Sequence, residues 1–249
     1  MKKAAVAFID ILGFKGIWQR MNPNDVLDIL KGVKTRVLKQ YETHTQEEKW
    51  YSTFIPEVTV LSDTIVIVIR SDDPKCIFLM PHIINDLAFY FYGYGLFFRG
   101  AIGYGDFEQE DSTFIGPVID DVASWYEAAD WIGTILTPKT NYLYDRFENV
   151  TITVSGIPTI PFIKYLVPGK NGKKFNLNCL NLPAFLQASY QALVIPGEKS
   201  KARAYFEQLF SQQSEFDASV LLKYENTIEF IDYSISMMSQ RTVATISEA

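Results

Sequence analysis

Residues 4–9, Ala-Ala-Val-Ala-Phe-Ile, form an unbroken apolar run that ends on a carboxylate, Asp10. A run of this length with no helical period predicts a strand covered on both faces. Gly13 frees the backbone for a turn after it. Pro23-Asn24-Asp25 then opens a helix. Its apolar positions Val26, Leu27, Ile29, Leu30, Val33, Val37 and Leu38 repeat at helical spacing. The polar stretch 42–49 predicts a loop or helix end. Residues 54–70 carry two β-branched runs split by Leu61-Ser62-Asp63-Thr64, which predicts a hairpin. Pro74 opens a second helix through Tyr92, closed by Gly93 and Gly95. Leu96 to Phe107 predicts a strand whose Gly100, Gly103 and Gly105 stand where larger side chains would block a neighbour. A polar loop follows over 108–113, then a helix over Val118–Ala129, a short strand over Ile132–Leu136 and a short helix from Pro138.

The resulting order is strand, helix, strand, strand, helix, strand. That is the ferredoxin-like βαββαβ arrangement of an α+β protein. Right-handed crossovers place the first strand between the third and fourth, antiparallel to both. The end of strand one and the starts of strands three and four then share one sheet edge. Asp10, Asp63 and Arg99 are expected there together. Beyond residue 150 the pattern changes, so residues 1–150 and 151–249 are expected as a core domain and an extension packed on it. The extension starts with β-rich stretches at 151–154 and 161–167 and a turn at 168–174. Helices are expected over 183–192, 199–211 and 215–238, with a fraying polar tail from Ser239.

Composition narrows the function classes. The chain has 249 residues, 48% of them hydrophobic and 14% aromatic, enough for a full core. A net charge of −6 argues against broad binding to nucleic acid or to an anionic membrane. Cys76 and Cys179 lack CxxC spacing, which speaks against a zinc site or disulfide framework and fits a reducing compartment. His44 and His82 are the only histidines, so a His-rich metal site or a Ser-His-Asp triad is improbable, and helix surfaces are their expected place. No apolar stretch is of spanning length and no signal peptide is evident, so the expectation is a cytoplasmic protein with no membrane contact.

Two carboxylates on one sheet edge can hold two divalent cations, polarising an attacking hydroxyl and neutralising a triphosphate. Magnesium suits one or two carboxylates plus substrate phosphates. The Ile11 carbonyl can add a ligand. Arg99 can offer a planar fork to phosphate oxygens or pair with one of the carboxylates. The turn Gly13-Phe14-Lys15-Gly16 presents N–H groups that can meet phosphate, although a plain loop explains it better. Trp50, Tyr51 and Phe54 can stack on a base or fill the core.

The motif Phe8-Ile9-Asp10-Ile11-Leu12-Gly13-Phe14 resembles the F-x-D-[IV]-x-G-F motif of class III nucleotidyl cyclases. Leu61-Ser62-Asp63-Thr64 is similar to their hairpin bearing the second metal aspartate. Residues 98–105, Phe-Arg-Gly-Ala-Ile-Gly-Tyr-Gly, resemble their R-x-G-[IV]-x-x-G strand, and Ile115-Gly116 with Asp121-Val122-Ala123-Ser124 resembles their W-G-x-x-V-N-x-A-S segment. The likeness covers about residues 4–140. It implies two cations, Mn²⁺ or Mg²⁺, at Asp10, Ile11 and Asp63, and a head-to-tail homodimer.

The departures matter. The purine cyclases' Lys four residues before the second aspartate is Thr59 here. Their Asn and Arg on the dimer-facing helix become Asp121 and Trp125, and their purine-selecting Asp falls near Thr113 or Phe114. With the motif at the extreme N-terminus and a helical extension, the chain resembles the pyrimidine cyclases of the Pycsar antiphage systems. The resemblance implies UTP or CTP as substrate, a 3′,5′-cyclic nucleotide as product, and a separate effector that responds to it. It implies Asp10 and Asp63 as catalytic metal residues; Arg99 is expected to join them from its place on the same edge, and Phe14, Phe54, Thr59, Asp121 and Ser124 are the expected substrate contacts. With the purine-cyclase arginine gone, Arg99 is the expected transition-state cation, ahead of Lys15 or Arg20. The competing readings are a degenerate, nucleotide-sensing cyclase-like dimer, and a polymerase-palm relative that the acidic charge disfavours.

Overall fold

The computed structural model describes residues 1–110, 113–148, 150–189, 201–213 and 218–247. The chain divides into two compact units, residues 1–129 with 134–146, and residues 130–133 with 147–249.

The first unit is built on strand β1 (Lys2–Leu12), whose residues Ala4 to Ala7 are fully buried. A 3-10 turn (Phe14–Gln19) leads to helix α1 (Pro23–Glu47). Asn22 caps α1 by accepting from the Asn24 N–H at 2.9 Å, and Pro23 occupies the first helical position, where its missing N–H costs nothing. Most of the polar stretch 42–49 is the end of α1, the helix-end alternative expected for it. Strands β2 (Pro56–Leu61) and β3 (Thr64–Arg70) form the expected hairpin, with Ser62 at a positive φ of 59° in its turn. Asp73 caps a 3-10 turn (Pro74–Leu79) that runs into helix α2 (Met80–Tyr92). Strand β4 spans Phe97–Glu110, with β5 (Thr113–Ile115) paired to its end. Helix α3 (Pro117–Trp125), strand β6 (Thr134–Leu136) and helix α4 (Pro138–Tyr144) complete the unit.

The strands lie in the order β2-β3-β1-β4-β6, with β1 antiparallel to both β3 and β4 and β6 parallel to β4. This is the order the ferredoxin-like reading requires. Side chains alternate across β4. Phe98 meets Phe91 and Tyr92 of α2, whereas Gly103 lies under Val118 and Val122 of α3. Helices therefore cover both faces, which explains why β3 is apolar at every position from Ile65 to Ile69. The three expected glycine positions differ in what they accommodate. A Cβ at Gly100 would sit 2.6 Å from the Phe8 carbonyl oxygen, and one at Gly103 would sit 2.5 Å from a Val122 methyl. One at Gly105 would meet Val118 at an ordinary 3.5 Å.

The second unit gathers around Trp131, fully buried between the rings of Tyr165 and Phe230 at 5.7 and 4.6 Å. Strands β7 (Ile152–Val154) and β8 (Ile157–Thr159) form a small hairpin, and β9 (Phe162–Pro168) pairs antiparallel with β10 (Lys174–Leu180). β8 and β10 were not apparent from the apolar pattern. Helices α5 (Leu182–Ser189), α6 (Lys201–Ser211) and α7 (Ala218–Ser247) follow. α7 continues through the stretch from Ser239 that was expected to fray. The parts of the expected helices at 190–192, 199–200 and 215–217 lie outside the described residues, as does part of the 108–113 loop.

Candidate active site

β1 delivers Asp10 to the sheet edge. Strand register sets Asp10 opposite Thr64 on β3 and opposite Arg99 on β4. One step further the Ile11 N–H donates to the Asp63 carbonyl at 2.8 Å, which ties the β2–β3 turn to the end of β1. An N–H and C=O of one residue point to the same side of an antiparallel strand. The Ile11 carbonyl therefore faces the turn that carries Asp63. Asp10, Ile11, Asp63 and Arg99 thus meet at one edge although the sequence spreads them over 90 residues.

Arg99 is almost wholly engaged with its own chain. Its Nε donates to Asp10 Oδ2 at 3.0 Å, and its Nη1 donates to the carbonyls of Glu127 and Ala129 at 3.3 and 3.4 Å. Its Nη2 lies 3.7 Å from the Glu127 carboxylate. The carbonyls are available because α3 stops at Trp125, short of the Ala129 the apolar pattern suggested. Glu127 and Ala129 fall in the turn beyond that end, outside the helical ladder, where a main-chain carbonyl needs another donor. Only 10% of the Arg99 side chain and 14% of the Asp10 side chain is exposed, so this pair is largely desolvated. Turning the Arg99 fork toward a phosphate would break these bonds. The geometry therefore fits the ion-pair reading of Arg99, which holds Asp10 through Oδ2 and fixes its orientation.

Electrostatics agree. Burial raises the Asp10 carboxyl above its usual range, Arg99 opposes that shift, and the nearby charges of Glu127 and Asp63 add to it. Asp63 is thus close enough to be felt at Asp10. Two neighbouring carboxylates with an adjacent carbonyl suit hard divalent cations completed by substrate phosphates. Among the described residues there is no cluster of three or more His, Cys, Asp or Glu that would make a closed protein cage.

The remaining expected residues are scattered. Phe14 is 7% exposed and braces the exposed ring of Trp18 edge-on at 5.8 Å. Thr59 lies mid-way along β2, opposite Val66. Phe54 is buried under Trp50 before the far end of β2, where Pro56 pairs with Ile69. The length of that strand, about 17 Å at ~3.3 Å per residue, separates it from the Asp63 turn. Tyr51 is buried too, against His82. On α3, Asp121 has one buried carboxylate oxygen without a hydrogen-bond partner, and the Ser124 hydroxyl donates to the Asp120 carbonyl at 2.7 Å. Arg20 donates to the Gly13 carbonyl at 3.2 Å and holds the turn after β1. The histidines depart from expectation. His82 is buried, with the rings of His44 and His82 3.6 Å apart, and neither lies at the sheet edge.

Solved structures with a similar fold include the adenylyl cyclase CyaB from P. aeruginosa. It is 14% identical over 72% of this chain and 93% of its own, with a TM-score of 0.45. A bacterial light-regulated adenylyl cyclase is 12% identical over 77% and 96%, with a TM-score of 0.43. The catalytic core of a rhodopsin-guanylyl cyclase is 12% identical over 72% and 94%, with a TM-score of 0.46. No family model and no curated protein matches the sequence.

The sequence reading overlooked Glu127 and Tyr126. Tyr126 packs edge-on against Phe8 at 5.9 Å, two residues before Asp10 on the same face, and its hydroxyl is raised by burial and by hydrogen bonding to Glu127. A helix read through to Ala129 conceals both the turn and the carbonyls it offers to Arg99. One signal was available: a buried arginine on a central strand needs several acceptors, and Asp10 alone supplies too few.

Proposed function

We propose that this chain is a nucleotidyl cyclase that converts UTP or CTP to the 3′,5′-cyclic nucleotide and pyrophosphate, as a second-messenger synthase in antiphage defence. The observation that carries the reading is the juxtaposition of Asp10 and Asp63 at one sheet edge through the Ile11–Asp63 bond. The motif resemblance supplies the reaction. Thr59, Asp121 and Trp125, in place of the purine-cyclase residues, support a pyrimidine. Asp10, Asp63 and the Ile11 carbonyl would hold two Mg²⁺ or Mn²⁺ ions, which supply charge neutralisation and a more acidic attacking hydroxyl. The ribose 3′-hydroxyl gives up its proton to solvent, its oxygen attacks the α-phosphorus, the bond from that phosphorus to the α–β bridging oxygen breaks, and pyrophosphate leaves with that oxygen and its charge. Arg99, locked by Glu127, keeps Asp10 aimed at the edge. A homodimer is part of this proposal, since among the described residues the arginines near the edge, Arg99 and Arg20, are both engaged with their own chain. Trp18 and Leu61, 57% and 55% exposed, are apolar surface near the edge that a second copy can cover.

One observation favours the degenerate, nucleotide-sensing alternative. Arg99 faces inward, and a transition-state cation must come from elsewhere. The deciding experiment incubates the purified chain with each of the four NTPs and Mn²⁺, identifies products by mass spectrometry, and measures mass by light scattering. Cyclic UMP or cyclic CMP from a dimer, lost in Asp10→Asn and in Asp63→Asn with unchanged circular dichroism, is the expected result. Turnover of purines alone would overturn the pyrimidine assignment. Full activity in either variant would overturn the two-carboxylate site, and tight nucleotide binding without product would favour the sensor.

A further inference from the structure

The turn after α3 brings two side chains to the sheet edge, Tyr126 and Glu127, neither of them part of a sequence motif. Tyr126 lays its ring edge-on against Phe8 at 5.9 Å, which seats the turn on β1. Phe8 shares a strand face with Asp10, two residues on. Glu127 holds its carboxylate 3.7 Å from Arg99 Nη2, while its carbonyl accepts from Arg99 Nη1 at 3.3 Å. The same carboxylate is hydrogen-bonded to the Tyr126 hydroxyl. Arg99 is thus clasped between two carboxylates, that of Asp10 at 3.0 Å from Nε and that of Glu127 beside Nη2.

The balance of charge gives this arrangement a consequence for cations. A carboxylate paired with a guanidinium presents little net charge, so Asp10 and Arg99 by themselves make a weak half of a cation site. Glu127 makes the group of three anionic again. Its charge reaches Asp10: burial raises the Asp10 carboxyl most, Arg99 opposes the rise, and of the two neighbouring carboxylates Glu127 adds more than Asp63. Glu127 is not placed as a ligand itself, because among the described residues no three Asp, Glu, His or Cys side chains converge to hold one ion. Its side chain is 48% exposed, so its charge can be altered without opening the core.

We propose that Glu127 is a positioning residue for the divalent cations and acts through Arg99. It offsets the guanidinium charge at Nη2 while Nε holds Asp10, so Asp10 keeps a fixed orientation and the anionic character a cation needs. Without the Glu127 charge, the guanidinium competes with the cation for Asp10. The inference rests on the two-carboxylate site proposed above and extends it to a residue outside the ligand set.

Titration of Mn²⁺ into the full chain, read by loss of the free-ion electron paramagnetic resonance signal, tests it without turnover. Glu127→Gln, nearly isosteric and half-exposed, should keep the wild-type circular dichroism and weaken Mn²⁺ binding about tenfold, the low end of what losing a group behind a metal ligand costs. Glu127→Asp keeps the charge and should recover most of that loss. Wild-type affinity in Glu127→Gln, or no recovery in Glu127→Asp, would overturn the proposal. Asp10→Asn separates that result from failure of the site itself. Binding lost in Asp10→Asn but intact in Glu127→Gln sinks the role of Glu127 alone, whereas wild-type binding in Asp10→Asn removes Asp10 as a ligand and this inference with it.

Discussion

Replacing Arg99 by Met separates the two roles an arginine at this edge can have. The change removes the donor to Asp10 Oδ2 and both donors to the carbonyls of Glu127 and Ala129, while keeping a similar apolar stem. With so little of either side chain exposed, the loss belongs with buried pairs, for which removing one partner costs about 3–5 kcal/mol. Asp10 can relieve part of this by taking a proton. Its carboxyl is already raised by burial, and without Arg99 it rises further. A folded carboxyl raised above its unfolded value binds more protons in the native state, so the stability it lends is lost as pH rises. The deficit of Arg99→Met relative to wild type should therefore be about 3 kcal/mol at pH 8 and smaller at pH 5. Urea unfolding followed by circular dichroism measures it at both pH values, for wild type, Asp10→Asn, Arg99→Met and the double variant. Because the residues are bonded, the double variant should lose less than the sum of the single losses. A deficit under about 0.5 kcal/mol, or strict additivity, would refute the ion-pair role and return Arg99 to the phosphate. Kinetics give a second view. If Arg99 acts through Asp10, added Mn²⁺ should restore part of the rate lost in Arg99→Lys, whereas a missing phosphate contact would leave the deficit at saturating metal.

Two further outcomes follow from the core. Gly100→Ala, whose Cβ would lie 2.6 Å from a backbone oxygen that cannot move aside, should destabilise by about 1–3 kcal/mol, while Gly105→Ala should be near neutral; equal melting temperatures for the two would refute the close-approach argument. Burial pushes His82 down to about 3 and lowers His44 beside it, so below pH 6.5 the unfolded chain takes up protons that the native state refuses. Stability should then fall as pH drops from 6.5 toward 4, by up to about 1.4 kcal/mol per pH unit for His82, and an undiminished slope in His82→Gln would refute this.

The edge of the first unit was legible because strand order and register follow from features the sequence states strongly. An apolar run ending in Asp10, a hairpin at Ser62-Asp63 and glycines on β4 are local signals, and right-handed crossovers convert them into a topology. What Arg99 does was not legible. Its partners are main-chain carbonyls at Glu127 and Ala129, and a carbonyl leaves no mark on residue identity. Apolar spacing carried the α3 reading past its real end for the same reason. The aromatic trio near β2 had the composition of a stacking platform, but Phe54 and Tyr51 are buried at the far end of that strand. β8 and β10 were missed because polar residues such as Asn176 and Asn178 interrupt the apolar pattern, and Trp131 organises the second unit from a segment that sequence order assigns to the first.

Charge at the edge limits what any ligand there can be. Asp10 feels the negative charges of both Asp63 and Glu127, and the one guanidinium beside it is bonded to Asp10 and to main-chain carbonyls. The other nearby arginine, Arg20, is held on the Gly13 carbonyl. A triphosphate approaching this surface meets like charge with no engaged cation released to offset it. Such an edge accepts a nucleotide only when cations sit between the carboxylates and the phosphates, or when a second copy brings positive charge across. The carboxylate pair, the metal requirement and the dimer are therefore one hypothesis in three parts: a chain that bound triphosphate as a monomer without divalent ions would contradict all three at once.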